Sequence, residues 1–276
     1  AALLALAPAA PSRAQDASVY PLPADLYILT SENRLLRIDA ETGEQTVVSP
    51  EGQPVAAFDI SPDGGWYAYR TLDNQAVIVA SLTSINGYVA AFDQPLPQGA
   101  GAQAIAWSPD GQRIAFASNR MGDWDIFTIN VDGSNLQQIT FSPAHEYAPT
   151  WSADGRSLAY QSNQMGSEEI FIHDLQTGEI RQLTNADEPL VGALWSPDGR
   201  YIAGYANVDP YRVFIADSET GAILMWANGI ANEWLDAETL IFHRQEGGIP
   251  NLYTLDVRSG VESLLIANGS WSAAAN

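Results

Sequence analysis

The chain has 276 residues, of which 46% are apolar and 16% are charged, so it can bury a sizeable core and is not a disordered polyelectrolyte. Its 33 acidic and 12 basic residues give a net charge of −21, which argues against binding to nucleic acid or to an anionic membrane surface. The absence of cysteine excludes a disulfide framework, a thiolate nucleophile and a cysteine-based zinc site.

The N-terminal segment has the pattern of an export signal. In "AALLALAPAAPSRAQ" an apolar run ends at Ser12-Arg13-Ala14, which places small residues at the −3 and −1 positions of a cleavage site. We expect residues 1–14 to be the remnant of a signal peptide, residues 15–24 a linker, and the protein to be periplasmic or secreted. No later apolar run approaches the ~18 residues of a membrane span, so we expect no membrane insertion.

A repeat fills the rest of the chain. The residue after the repeated tryptophan, or its equivalent, recurs at intervals of 47, 44, 44, 39 and 37 residues, at Ser61, Ser108, Ser152, Ser196, Leu235 and Ser272. These intervals are near the ~40–45 residues of one four-stranded propeller blade. Each unit has four apolar runs, of which "RIAFAS" and "DIFTIN" are examples. The spacing predicts an all-β, six-bladed β-propeller of four-stranded antiparallel blades over residues 25–276.

Each repeat unit contains two kinds of turn. In "SPDG" the serine begins the turn, proline fixes its own φ, aspartate takes the bridge conformation and glycine ends the turn. The second turn recurs as "DAETGE", "DLQTGE" and "DSETGA". Both are typical of tight connections between antiparallel strands.

Five tryptophans share one repeat position, at Trp107, Trp151, Trp195, Trp234 and Trp271, and the remaining copy has Ile60. A tryptophan stripe can stack on sugars, but strict periodicity at a strand end favours packing between sheets.

The two ends of the chain carry complementary parts of one unit. The segment "DLYILTSENRLLRIDAETGEQTVV" has the second, third and fourth runs, and "NGSWSA" near the C-terminus has a first run alone. We expect residues near 271 to pair with those near 27, so that N- and C-terminal strands share one blade and close the ring.

A family resemblance is strong over residues 104–200 and weaker over residues 25–80 and 200–258. "AWSPDGQRIAFASNRMGDWDIFTINVDGSNLQQIT" and "PTWSADGRSLAYQSNQMGSEEIFIHDLQTGEIRQLT" resemble blades of TolB-type, WD-repeat-like propellers. The resemblance implies a periplasmic protein that docks an envelope lipoprotein. It covers the propeller alone, since the ten residues after the cleavage site leave no room for the α/β domain that precedes it in TolB.

Candidate functional residues lie on one face of the predicted ring. Loops between the second and third runs, and between successive units, share a face and are long and varied, which is where function tends to lie. In "HEY" the imidazole is a candidate base or metal ligand, the glutamate its partner and the tyrosine a stacking surface; a solvated loop without function is the alternative. The candidates on this face are His145, Glu146, Tyr147, Arg120, Asp123, Trp124, Gln164, Glu168, Asp187, Glu188, Asp209, Tyr211, His243 and Arg244.

The sequence leaves more than one class of function open. We expect a monomeric, non-enzymatic module that binds a protein or peptide through the long-loop face and channel mouth, without a cofactor. A metal-assisted, carbohydrate-active enzyme resembling oligogalacturonide lyases is the alternative, with a divalent cation held by His145 and His243. A third possibility is an accessory module of a peptidase or sensor.

Overall fold

The computed structural model describes residues 2–5, 25–29, 32–52, 54–71, 76–81, 88–92, 105–247 and 249–266. These residues form twenty-four β-strands in six four-stranded sheets, and within each sheet the strands lie in the order of the chain. Within these ranges the structure contains no helix with the length and apolar character that a membrane span requires. The all-β prediction is confirmed.

The strand bounds follow the predicted runs. The first sheet contains β1 (Ala2–Ala5), β2 (Leu26–Leu29), β3 (Leu35–Ile38) and β4 (Gln45–Val47). The second contains β5 (Val55–Ile60), β6 (Trp66–Thr71), β7 (Ala76–Ser81) and β8 (Tyr88–Phe92). The third contains β9 (Ile105–Trp107), β10 (Arg113–Ser118), β11 (Asp125–Asn130) and β12 (Gln137–Gln138). The fourth contains β13 (Glu146–Trp151), β14 (Ser157–Ser162), β15 (Glu169–Asp174) and β16 (Ile180–Gln182). The fifth contains β17 (Leu190–Trp195), β18 (Tyr201–Ala206), β19 (Arg212–Asp217) and β20 (Ile223–Asn228). The sixth contains β21 (Ile230–Trp234), β22 (Thr239–Glu246), β23 (Ile249–Asp256) and β24 (Glu262–Ile266).

The serine and aspartate of the first turn type hold it together. In four copies the serine Oγ donates to the aspartate two residues later at 2.5–2.7 Å, at Ser61, Ser108, Ser152 and Ser196. The same Oγ accepts a hydrogen bond, 2.8–2.9 Å long, from the backbone N–H of the residue five positions later in the chain. One serine side chain therefore bridges the two strands. The turn glycine has a positive φ, as in Gly111 at 69°, which explains why a glycine is needed there. These contacts confirm the predicted turn.

The repeated tryptophans connect neighbouring sheets. Trp107, Trp151 and Trp234 are only 5–8% exposed. Their indole N–H groups donate to the carbonyl of the residue before the same repeat position in the preceding sheet, namely Asp59, Ala106 and Leu194, at 3.0–3.2 Å. Core packing is therefore confirmed for these three, and each also links one inner strand to the next. Trp195 departs from the pattern and Trp271 lies outside the described residues.

Apolar clusters lie between successive sheets. Leu35 of the first sheet packs with Phe58 of the second, and five further clusters each join two neighbouring sheets. One of them joins Leu36 and Ile38 of the first sheet to Ile241 and Leu252 of the sixth. The first sheet is thus packed on one side against the second and on the other against the sixth.

The first sheet differs from the other five in its first strand. β1 pairs with β2 in parallel register, whereas the first strands of the other sheets pair antiparallel with their neighbours. β1 therefore occupies the edge for which the sequence predicts the C-terminal run. Residues 267–276 lie outside the described part, so the shared terminal blade stays a prediction, as do the leader and linker boundaries.

Candidate functional site

The long-loop face is defined by the strand directions. In each antiparallel sheet the second strand ends, and the third begins, at the edge opposite the Ser-Asp turn, and the links between sheets emerge at that same edge. We call this edge the long-loop face and the opposite edge the turn face.

Four large apolar side chains stand exposed on the long-loop face. Met121 is 69% exposed, Phe141 76%, Met165 65% and Tyr211 47%. They lie on loops of the third, fourth and fifth sheets. Of these, only Tyr211 was predicted from the sequence. The signal for the methionines was available in the repeated "NRMG" and "NQMG", which set an apolar residue in a polar loop.

The predicted triplet at residues 145–147 lies mostly inside the protein. Glu146 is 1% exposed and Tyr147 7% exposed, because β13 begins at Glu146 and places the two side chains on opposite faces of its sheet, both of which are covered. His145 remains partly exposed; its backbone N–H donates to Asn163 Oδ1 at 3.0 Å. Its Nδ1 accepts the Trp124 backbone N–H at 3.5 Å. Tyr147 packs on Trp124, with ring centroids 5.7 Å apart, so its ring face is a core contact rather than a stacking surface.

Glu146 belongs to a buried carboxyl pair. Its Oε1 accepts the hydroxyls of Ser142 and Ser162, and burial raises the pKa of its carboxyl. Burial also raises the pKa of Asp125, whose Oδ1 accepts the Thr140 hydroxyl at 3.2 Å, and the two carboxyl groups interact electrostatically. Glu146 Oε2 is buried and has no hydrogen-bond partner among the described residues.

A chain of aromatic and acidic side chains extends from this pair toward the surface. Burial raises the pKa of Tyr147 to about 12, and the Glu168 carboxylate contributes to the shift. Burial likewise raises the pKa of Glu168 itself and of Tyr205, with which Glu168 also interacts. Tyr205 contacts the exposed Tyr211 edge to face at 6.0 Å. The structure therefore brings together predicted candidates from the third, fourth and fifth sheets.

The remaining candidates on these three sheets are dispersed. Arg120 donates to Ser118 Oγ at 3.0 Å and its guanidinium lies 5.1 Å from the centroid of the Phe127 ring. Glu188 forms an ion pair with Arg212. Four further candidates are exposed on the loops, namely Asp123, Gln164, Asp187 and Asp209.

The candidates in the sixth sheet are held by local partners. His243 Nδ1 lies 2.9 Å from Asn232 Oδ1, and burial lowers the pKa of the imidazole to about 4, which keeps the ring neutral. Arg244 forms an ion pair with Glu262 at 2.8 Å and lies 4.4 Å from the Tyr253 ring centroid. His145 and His243 thus have separate partners in different sheets. Within the described ranges no group of three or more histidine, aspartate or glutamate side chains is arranged to hold a metal ion.

A cavity of about 270 Å³ lies between the inner strands β5, β9, β13, β17 and β21, and we call it the channel. Asp59 and Glu233 are its two carboxylic acids. Burial raises the pKa of each to about 7; backbone N–H groups of Trp107 and Trp234, respectively, oppose that rise. Neither residue was predicted from the sequence, although each immediately precedes the repeated tryptophan position.

The comparisons with known proteins agree with this architecture. The family model described as the TolB beta propeller domain matches residues 26–276. The uncharacterized protein Atu1656 of Agrobacterium fabrum is 32% identical over 90 residues, which cover 32% of this chain and 29% of that protein.

Solved structures show the same fold at low identity. The crystal structure of TolB from Acinetobacter baumannii aligns with a TM-score of 0.71 and 19% identity, over 87% of this chain and 63% of that one. Oligogalacturonate lyase from Vibrio parahaemolyticus aligns with a TM-score of 0.63 and 13% identity, over 84% and 71% of the two chains. Similarity at this level concerns the fold alone. Because the family model spans most of its length, the chain belongs to the TolB β-propeller domain family.

Proposed function

We propose that this chain is an exported, closed six-bladed propeller that binds a protein or peptide partner across its long-loop face. Six four-stranded sheets, each packed on the next and the sixth packed on the first, support the closed ring. The export part of the proposal rests on the cleavage-site pattern at residues 12–14.

The exposed apolar quartet of the long-loop face carries the binding role. Met121, Phe141, Met165 and Tyr211 expose 47–76% of their surface on neighbouring loops. Methionine and aromatic side chains are enriched at protein interfaces, and an exposed apolar group rimmed by polar residues is typical of a binding surface. The same face is acidic, with Asp123, Asp187 and Asp209 exposed on its loops. A partner that presents apolar side chains flanked by basic ones complements this surface.

The test compares two pairs of exposed residues. The Phe141→Ser/Met165→Ser variant removes apolar surface from the long-loop face, and Leu136→Ser/Leu224→Ser removes it elsewhere, from side chains 42% and 55% exposed. Tagged proteins are incubated with envelope extract of the source organism, and retained proteins are identified by mass spectrometry and then titrated individually.

We expect a partner retained by the wild type and the control pair to lose about tenfold or more in affinity with the first variant, because central apolar contacts dominate interface energies. Urea unfolding should show both variants as stable as the wild type within about 0.5 kcal/mol, since exposed substitutions rarely cost more. Equal retention by both variants would place the binding surface elsewhere.

A further inference from the structure

Trp195 stands apart from the other described tryptophans of its repeat position. It is partly exposed, whereas Trp107, Trp151 and Trp234 are 5–8% exposed. Its Nε1 is buried yet has no hydrogen-bond partner within the described residues, although its three counterparts donate to the preceding sheet. Trp195 also lines a cavity of about 490 Å³ between the fourth and fifth sheets, on the turn face.

One repeat position explains why the Trp195 ring is partly exposed. The second residue after the turn glycine lies at the start of the second strand, and in the third and fifth sheets its side chain lies against the tryptophan of the following sheet. In the third sheet this residue is Arg113, whose guanidinium lies 4.5 Å from the Trp151 ring centroid. In the fifth it is Tyr201, whose ring stacks on Trp234 at 6.2 Å and 16°. In the fourth sheet it is Ser157, which lines the cavity with Trp195 and is too short to cover an indole.

The rim of this cavity is strongly acidic. Five carboxylates line it, namely Asp154, Asp174, Glu179, Asp198 and Glu219. Among the described residues that line it, Arg181 is the one cation, and its guanidinium donates to the Ser218 carbonyl. These five acids and one base have a formal charge of −4, which Arg156, 3.7 Å from Asp154, and Arg200, beside Asp198, offset in part. Hydrogen bonds from Ser152 and from the Thr177 backbone lower the pKa values of Asp154 and Asp174, so these carboxyls are ionised at neutral pH.

We propose that the cavity over Trp195 is a binding site for an arginine side chain of a basic peptide segment, whose guanidinium stacks on the indole and pairs with the rim carboxylates. The Arg113–Trp151 contact shows, within the same chain, that a guanidinium fits over this repeat tryptophan. A planar cation is favoured over lysine because it stacks on the ring and donates to carboxylates at the same time. The site lies on the turn face and is independent of partner binding at the long-loop face.

The test uses defined probes. Acetyl-Gly-Arg-Gly-amide is titrated by NMR and calorimetry, beside the same peptide with citrulline, which keeps the shape and loses the charge. We expect saturable binding of the arginine peptide within about 10 mM, weakened several-fold when NaCl rises from about 50 to about 500 mM. The citrulline peptide should bind about tenfold more weakly or not at all.

Three variants locate the site. Ser157→Arg supplies the missing cap from within the chain and should abolish binding. Trp195→Leu should weaken it about three- to tenfold through loss of the cation–ring contact. Glu179→Gln/Glu219→Gln should weaken it about threefold, whereas the control Glu41→Gln/Glu44→Gln, at equivalent turn positions of the first sheet, should leave it unchanged.

Folding of each variant is checked by its circular dichroism spectrum. The absence of saturable binding, equal binding of arginine and citrulline peptides, or undiminished binding to a folded Ser157→Arg protein would each overturn the proposal. A long-loop partner that is lost or retained has no bearing on it.

Discussion

Comparing Trp151 with Trp195 measures, within one protein, how much the indole hydrogen bond contributes to the free energy of unfolding. The perturbation is the same at both positions: Trp151→Phe and Trp195→Phe each remove an N–H group and part of one ring. Trp151 donates to the Ala106 carbonyl at 3.1 Å in a buried contact and lies under Arg113. Trp195 Nε1 makes no hydrogen bond within the described part of the chain.

The magnitudes follow from these contacts. Each substitution loses roughly 40 Å² of apolar area, or about 1 kcal/mol. At Trp151 the Ala106 carbonyl also loses its donor, which costs about 1–3 kcal/mol, and the weaker cation–ring contact adds about 0.5 kcal/mol. At Trp195 the substitution removes a buried donor that has no acceptor, which offsets the lost area by about 1 kcal/mol. We therefore expect Trp151→Phe to be less stable than Trp195→Phe by on the order of 3 kcal/mol.

Urea unfolding followed by circular dichroism measures this difference, provided that the m-values of the two variants agree. Trp195→Phe should unfold near the wild-type midpoint and Trp151→Phe clearly below it. Equal midpoints, or a lower midpoint for Trp195→Phe, would refute the idea that the indole N–H links one sheet to the next.

Two further predictions concern the channel and the chain ends. The pKa values of Asp59 and Glu233 are raised to about 7, so their contribution to stability is present below the ordinary carboxyl pKa and is lost as the pH rises through 7. The Asp59→Asn/Glu233→Gln variant should therefore show a smaller fall in urea midpoint between pH 5 and pH 8 than the wild type. An unaltered pH profile would contradict the assignment. For the terminal blade, deleting residues 269–276 should lower the thermal midpoint and deleting residues 1–5 should not, because the C-terminal run matches the first strand of the other units. The opposite result would show that β1 occupies the edge beside β2.

The parts of the fold predicted correctly are those specified by local sequence. The Ser-Asp turn is made by residues within six positions of one another, so Ser108, Asp110 and Gly111 indicate it directly. Strand runs and the buried position of Trp151 follow from strict periodicity. The parallel pairing of β1 has no such signal, since it joins residues more than twenty positions apart without a shared motif.

The candidate site was harder to predict because its state depends on neighbouring strands. Glu146 was predicted as a surface group, yet Ser162 and Asp125, far from it in sequence, surround it and turn it into a buried acid. The loop pattern therefore misjudged the exposure of this segment. Phe141 could have been identified, because a large apolar residue between polar ones in a loop is itself a signal of a binding surface.

In a repeat protein the positions that depart from the repeat are the informative ones. Arg113 covers Trp151 and Tyr201 covers Trp234, so a large side chain covers the tryptophan of the following sheet in these two copies. Both contacts are part of the packing between sheets. Ser157 breaks this pattern and leaves Trp195 partly exposed in the lining of an acidic cavity. Ser157 is too small to make the contact that Arg113 and Tyr201 make at the same repeat position. Such local departures from a repeat occur mainly where function requires them. The same reasoning singles out Asp59 and Glu233, since Ala106 and Leu194 show that the position accepts apolar residues.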